Sequence, residues 1–307
     1  MSIPVIDLFA GPGGLCEGFS KAQGARFDIV ISIEKDEMAH ETLRLRAAHR
    51  QLSRNPDAQP DDWVTWDAII EQQPWNIVFD KLKLSGNPRI KAACDAAHNE
   101  AVLLELGPDQ RQTVSREIRK RLVPFMQDGQ LPSNTVLIGG PPCQAYSVAG
   151  RARNKGEKDY KPENDHRHFL YEEYLHVIAE FRPAVFVMEN VKGILSSKVG
   201  EGHIFHRILA DLRNPKVADL DTGDLEYELV ALGVPPGIAE PAPEDFIIKA
   251  EAFGIPQARH RVIIMGVRKD VHAATPEIPR LKPRSEKGPS HRTKDGTATF
   301  RHTFVTL

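Results

Sequence analysis

The residues best suited to chemistry sit at the ends of short apolar runs. In "TVLIGGPPCQAYS" (Thr135–Ser147) a strand-forming run passes through two glycines and two prolines to Cys143. Proline continues neither a strand ladder nor a helix interior, so Pro141 and Pro142 fix the exit direction of the chain and project the residues after them. A lone cysteine is more often a small buried hydrophobe. Here the glycines before it and the basic stretch "GRARNKGEKDYK" (150–161) after it favour an exposed thiol of lowered pKa, the setting of a nucleophile. That stretch carries Arg151, Arg153, Lys155, Lys158 and Lys161 against Glu157 and Asp159. It reads either as a solvated loop or as a contact for phosphate.

A carboxylate and two guanidinium groups occupy similar positions. Glu189 follows Phe-Val-Met in "FVMENVKGIL". Buried there without a partner it would be costly, so it lies at the mouth of a strand or is paired, with an N-cap or a structural ion pair as the ordinary alternatives. In "GIPQARHRVIIMGVR", Arg259 and Arg261 share one side of an extended segment. Such a pair meets a phosphate or holds a carboxylate, and a surface ion pair is the alternative.

"VIDLFAGPGGLCEGF" (Val5–Phe19) reads as a strand, a glycine-rich turn and the start of a helix, with Gly11, Gly13 and Gly14 allowing close approach of a ligand. It is not the dinucleotide fingerprint G-x-G-x-x-G, because Cys16 takes the last glycine's place, and no P-loop lysine is present. Glu34 ends the next apolar run, where an acid suits two ribose hydroxyls. Together the two features fit a nucleoside-bearing cofactor without a pyrophosphate, although a glycine-rich turn can be merely tight.

The elements that must position these groups are legible as apolar runs. "IPVIDLFA", "FDIVISIE", "TVLIGG" and "AVFVMENV" are apolar throughout rather than alternating. That suits strands covered on both faces, hence a parallel sheet between helices. "EDFIIKAEAFG" and "RHRVIIMGVR" lie close enough to pair without a helical crossover. The expected fold is a doubly wound, mostly parallel α/β domain with ligands at the carboxyl ends of its strands. Residues from about 61 to 130 break the rhythm. There "RQTVSREIRKRLVPFM" sets Val114, Ile118 and Leu122 on one helical stripe, with Arg116, Arg119, Lys120 and Arg121 around it. A helical insertion is expected, its basic side solvated, with nucleic-acid contact as the lesser alternative.

Composition bounds the answer without choosing it. A chain of 307 residues with net charge −2 is long enough for one large α/β domain or two smaller ones. No apolar run approaches the roughly 20 residues of a membrane span, and no signal-peptide pattern opens the chain, so a cytoplasmic protein is expected. Cys16, Cys94 and Cys143 are far apart and lack metal spacing. Neither a disulfide framework nor a zinc site is expected, and any essential cysteine works as a free thiol.

In sequence order, "DLFAGPGG", "GGPPCQAYS", "MENVKG" and "QARHRVIIMG" resemble the cytosine-5 DNA methyltransferase family. Pro-Pro-Cys-Gln together with Glu-Asn-Val is the most specific part, and the matching positions, a few dozen residues, run from Val5 to Arg268. The resemblance implies a Rossmann-like catalytic domain over 1–270, with the helical insertion at about 61–130, and a basic tail at 271–307 that begins a target-recognition region. It implies S-adenosylmethionine as cofactor, met by Phe9, Gly11, Gly13, Gly14, Glu34, Pro142 and, in "DHRHFLYEEYL", Leu170. It implies Cys143 as the nucleophile, Glu189 as the acid that binds the target base, and Arg259 and Arg261 as supports of the site. The substrate is then double-stranded DNA whose cytosine is flipped from the stack. Arg151, Arg153 and Lys155 match a loop that closes over DNA phosphates, and a restriction-modification or defence system is the expected context.

The chain also departs from the family. The later recognition region and the last motifs do not appear before Leu307, so a second polypeptide or a longer chain is expected to supply target recognition. The family's acid that touches the adenine after the third strand has two candidates, Asp67 and Asp80. A tRNA cytosine-5 methyltransferase and a non-catalytic DNA-binding subunit of the same fold stay open as alternatives. A nicotinamide oxidoreductase is more distant, because the glycine pattern is broken.

Overall fold

Strand β1 (Ser2–Leu8) is buried along its last five residues, on both faces, and the sheet extends from it in both directions. The computed structural model describes residues 2–142, 170–199, 202–217, 220–235, 240–275 and 277–283. β1 pairs in parallel with β2 (Arg26–Glu34) on one side and with β4 (Val136–Gly139) on the other. Beyond β2 lies β3 (Ala101–Leu103), and beyond β4 lies β5 (Val185–Val191), both parallel to their neighbours. β6 (Lys198–Val199) and β7 (Gly202–His203) form a small separate hairpin. β8 (Tyr227–Val230) and β9 (Ile247–Lys249) both pair antiparallel with the outer side of β10 (His260–Arg268), which is itself antiparallel to β5.

The resulting order, β3-β2-β1-β4-β5-β10-β8, is the doubly wound, mostly parallel arrangement expected from the continuous apolar runs. The strand of "EDFIIKAEAFG" does pair directly with β10. β3 and β8, at three and four residues, carry too little pattern to stand out in the sequence. Alternate side chains of the central strands feed two cores. Val5, Ile138 and Val187 meet Cys16 of α1 (Gly14–Ser20) and Leu43 of α2 (Glu37–Arg54). On the opposite face, Ile6, Leu8, Leu137 and Phe186 meet α6 (Arg111–Leu122), α7 (Leu170–Phe181) and α8 (Ile204–Arg213).

The insertion proper is α3 (Pro60–Gln72), α4 (Trp75–Lys83) and α5 (Pro88–Glu100). These helices build a third core against Ala47, Ala48 and Leu52 of α2, filled by Trp66, Phe79, Leu82 and Ile90. α5 starts sharply because the Asn87 side chain accepts from the backbone N–H groups of Arg89 and Ile90, with Pro88 in the first turn. From Ala101 onward the chain is back in the sheet, so the expected interruption is shorter than 61–130. The basic side of α6 is also more structured than a solvated face. Arg111 pairs with Glu173 of α7 at 2.8 Å, Arg119 with Glu180 at 2.9 Å, and Arg121 with Glu117 at 2.6 Å. Val114, Ile118 and Leu122 seat the helix on the sheet, as their spacing implies.

Tyr174 of α7 is fully buried, and its hydroxyl reaches between β4 and β5, 3.1 Å from the Val187 carbonyl oxygen and 3.3 Å from that of Leu137. Its single proton serves one of these acceptors at a time. Tyr174→Phe is expected to lower unfolding free energy by about 1–2 kcal/mol, read as a reduced urea midpoint with an unchanged slope.

Candidate active site

The order of strands reverses between β1 and β4, the position at which a doubly wound sheet is expected to take its ligand. Leu8, the last residue of β1, stands opposite Ile33 of β2 and Gly139 of β4, and Gly139 stands opposite Met188 of β5. The loops after β2, β1, β4 and β5 therefore leave one edge side by side, and with β3 they span four strand steps, roughly 19 Å. Phe9, Gly11, Gly13, Gly14, Glu34, Pro142 and Glu189 all lie along this edge. Leu170 begins α7, which returns to the start of β5, so its N-terminus is at the same edge.

At one end the glycine turn and Glu34 are fastened together. Glu34 Oε2 accepts from the Gly11 N–H at 2.7 Å, while Oε1 accepts from the N–H groups of Lys35 and Asp36 at 2.9 and 2.8 Å. Oε1 is thereby filled, whereas Oε2 keeps one acceptor site for a further donor. Phe9 takes φ +53, a costly setting for a bulky residue and a pointer to function. Gly13 takes φ +86, and a Cβ there would lie 2.9 Å from Leu43, so side chains are excluded on both counts. Beside Glu34 an open hollow of about 380 Å3 is lined by Lys35, Asp36, Leu103, Leu104 and Glu105. Two hydroxyls on a carboxylate, an open glycine backbone and a hollow with an acid at its rim fit a nucleoside.

That hollow relocates the acid expected after the third strand. Asp67 lies in α3 and Asp80 in α4, inside the insertion and away from any strand end. The acid that follows β3 is Glu105, paired with Lys35 at 2.8 Å. The sequence hid it because a strand of three residues looks like the tail of a helix.

At the other end Glu189 is held by both arginines of the "QARHR" segment. Arg261 Nε lies 2.8 Å from Glu189 Oε1, and Arg259 Nη2 lies 3.8 Å from the same oxygen. Antiparallel pairing sets Ile263 opposite Glu189, which leaves Arg261 diagonal to it on the same face. Glu189 Oε2 faces Gly140, where a Cβ would sit 3.3 Å away. The next residue, Asn190, is 5% exposed and donates from Nδ2 to the Pro141 carbonyl oxygen at 3.0 Å. One side chain thus ties the end of β5 to the turn that leads towards Cys143. No sequence signal separates this Asn from an ordinary strand-end residue.

Cys143, Arg151, Arg153 and Lys155 lie outside the described residues. The other two cysteines are poor nucleophiles. Both are buried, and desolvation raises the Cys94 thiol to about 11 and the Cys16 thiol further still. Among the described residues no group of three His, Cys, Asp or Glu side chains is arranged to hold a metal, and no helix is long and apolar enough to cross a membrane. Beneath the glycine turn, Asp7 of β1 is fully buried, and neither carboxylate oxygen has a hydrogen-bond partner among the described residues. Desolvation, with Glu100 and Glu34 adding to it, raises its pKa to about 8 against the pull of Cys16 and Arg50.

The C-5 cytosine-specific DNA methylase family model matches residues 3–65, 111–215 and 244–301, passing over 66–110 and 216–243. A type II methyltransferase, M.Bpa9945I of Bacillus paralicheniformis, is 28% identical over 298 residues, covering 91% of this chain and 56% of the relative. The type II methyltransferase M.AquIA of a Picosynechococcus species is 32% identical over 268 residues, covering 87% and 73%. The DNA (cytosine-5-)-methyltransferase M.ApeKI of Aeropyrum pernix is 30% identical over 291 residues, covering 91% and 47%. The chain spans about half the length of the first and third of these relatives.

Asp7 gives the turn a pH signature. In the folded chain it keeps its proton up to about pH 8, whereas unfolded it loses it near 4. Between those values the native state binds more protons, so stability is full below pH 4 and declines as pH rises towards 8. The slope is at most about 1.4 kcal/mol per pH unit. In urea unfolding across pH 4–9, Asp7→Asn is expected to remove this decline; an unchanged slope would assign it to other groups.

Proposed function

Because the chain belongs to the C-5 cytosine-specific DNA methylase family, we propose that it methylates C5 of cytosine in DNA, using S-adenosylmethionine and a covalent bond from Cys143 to a flipped base. The observation that carries this reading is the placement of Glu189. It stands at the mouth of β5, gripped by Arg259 and Arg261 and facing the turn that leads to Cys143, on the same edge as the nucleoside-shaped cradle.

The cradle supplies the means to hold the cofactor. Glu34 meets the ribose hydroxyls, and the Gly11–Gly14 backbone lies along the same edge. Glu105 and the Leu103–Leu104 edge take the adenine, and Phe9, Pro142 and Leu170 close the apolar side. When bound, S-adenosylmethionine supplies an electrophilic methyl group.

Cytosine C5 is a weak nucleophile, and the chain's own residues correct that. The Cys143 thiolate adds to C6, and the electron pair of the C5–C6 bond becomes available at C5. Glu189 shares a proton with ring N3, which balances the charge the thiolate brings to the ring, and accepts from the exocyclic amine, while its arginines fix which oxygen it offers. After methylation, loss of the C5 proton and breaking of the Cys143 bond restore the aromatic ring. Cys16 and Cys94, buried with raised pKa, support Cys143 as the one thiol for this task. The base must leave the stack to reach Cys143, and Arg151, Arg153 and Lys155 hold phosphates beside it. The type II names of the relatives favour a role in restriction-modification.

Cys143→Ala is expected to keep S-adenosylmethionine binding and to lose labelled methyl transfer to DNA, together with the covalent adduct that the unaltered protein forms on 5-fluorocytosine duplex. Undiminished transfer, or transfer to tRNA in place of DNA, overturns the assignment. Replacing Arg151, Arg153 and Lys155 together by Ala is expected to weaken DNA binding and flatten its dependence on log salt by roughly 2–3 units, one for each phosphate left without its cation.

A further inference from the structure

The α3–α5 insertion, most of which the family match passes over, ends in a side chain that completes a buried chain of charges behind the cradle. Arg50 of α2 is 6% exposed. Its Nη1 donates to Glu17 Oε1 of α1 at 2.6 Å, and its Nη2 donates to Oε1 of Glu100, the last residue of α5. Glu100 is 3% exposed, and its second oxygen accepts from Gln51 Nε2 at 3.1 Å. Desolvation opposes the charge on Arg50, but the acids outweigh it and hold its pKa above the usual value.

The two acids sit behind the two walls of the cradle. Glu17 is in α1, the helix that Gly13 and Gly14 open. Glu100 is bonded to Ala101, the first residue of β3, whose far end leads to Glu105. A shift of either acid is therefore carried along a short rigid element to the glycine turn or to the adenine edge. A buried ion pair contributes little net stability compared with apolar packing, and its best-attested use is to fix a register. Arg50 Nε has no partner among the described residues, so the guanidinium is set by the two acids rather than by its own full hydrogen bonding. Lysine has no second prong with which to repeat this.

We propose that Arg50 is a positioning residue through which the α3–α5 insertion sets the separation between the glycine turn and the adenine edge. The proposal rests on the assignment of that cradle to S-adenosylmethionine. It gives the insertion a task in the reaction that acts through the cradle.

The test compares two ion pairs of the full chain by calorimetric titration with S-adenosylmethionine and by thermal unfolding. Arg50→Lys is expected to weaken binding roughly fivefold or more. Adding Glu17→Gln to it is expected to cost nothing further, since the shared link is already broken. Arg89→Gln breaks the pair with buried Asp62 inside the insertion, and it is expected to leave affinity unchanged even where it lowers the midpoint equally. Wild-type affinity in Arg50→Lys, or an equal loss in Arg89→Gln, overturns the proposal. Should Arg50→Lys not fold, hydrogen exchange on Glu100→Gln decides. Faster exchange in the 11–19 segment supports the link, and unchanged exchange refutes it. Failure of the unaltered protein to bind S-adenosylmethionine overturns the cofactor assignment itself, an outcome distinct from all of these.

Discussion

Everything at the active edge depends on β1 being paired in parallel on both sides. A strand so placed must be apolar on both faces, and Val5, Ile6 and Leu8 are fully buried. Parallel neighbours all end in the same direction, so their loops emerge together. The winding reverses at β1, so α1 after β1 and α7 after β4 pack on opposite faces of the sheet, the place at which such sheets are expected to take a ligand. The glycine turn after β1 and the Gly139–Pro142 turn after β4 become neighbours without any direct sequence relation between them. An antiparallel partner beside β1 would have brought a strand start, and not a loop, to that position.

The two acids of the edge are tuned in opposite ways by the groups that satisfy them. Glu34 is met by three backbone N–H groups, so its position follows the fold of the turn itself. Glu189 is met by guanidinium groups from another strand, so its position follows the pairing of β5 with β10. The second arrangement turns Oε2 towards Gly140.

Legibility in the sequence depended on length and locality. Residues at the ends of four long apolar runs could be placed on one edge because parallel strands align their ends, and Glu34, Gly11 and Glu189 all followed from that rule. Glu105 was hidden because β3 has three residues and comes directly after α5. The pairing of α6 with Glu173 and Glu180 was hidden because it joins residues about 60 apart in sequence. Asn190 and Arg50 act through contacts at separations of 49 and 50 residues, which no periodicity records. Spacing along a chain shows faces and ends. It does not show which charges meet.

The polar groups under the glycine turn show what such a cradle demands. Asp7 and Ser32 stand opposite each other in register on β1 and β2, both fully buried, and neither side chain has a hydrogen-bond partner among the described residues. Groups left in that state lower stability, and apolar residues would pack there without the loss. Their location next to the turn, beside the Glu17–Arg50–Glu100 chain, makes them part of one polar layer between α2 and the sheet. Local rules are broken where function constrains the backbone. Here the violations on β1 and β2 lie within one or two residues of the strand ends beside the glycine turn, while on the opposite face Ile6, Leu8, Ile31 and Ile33 join the main apolar core. The two strands thus carry their polar cost on the face of the glycine turn and much of their apolar packing on the other.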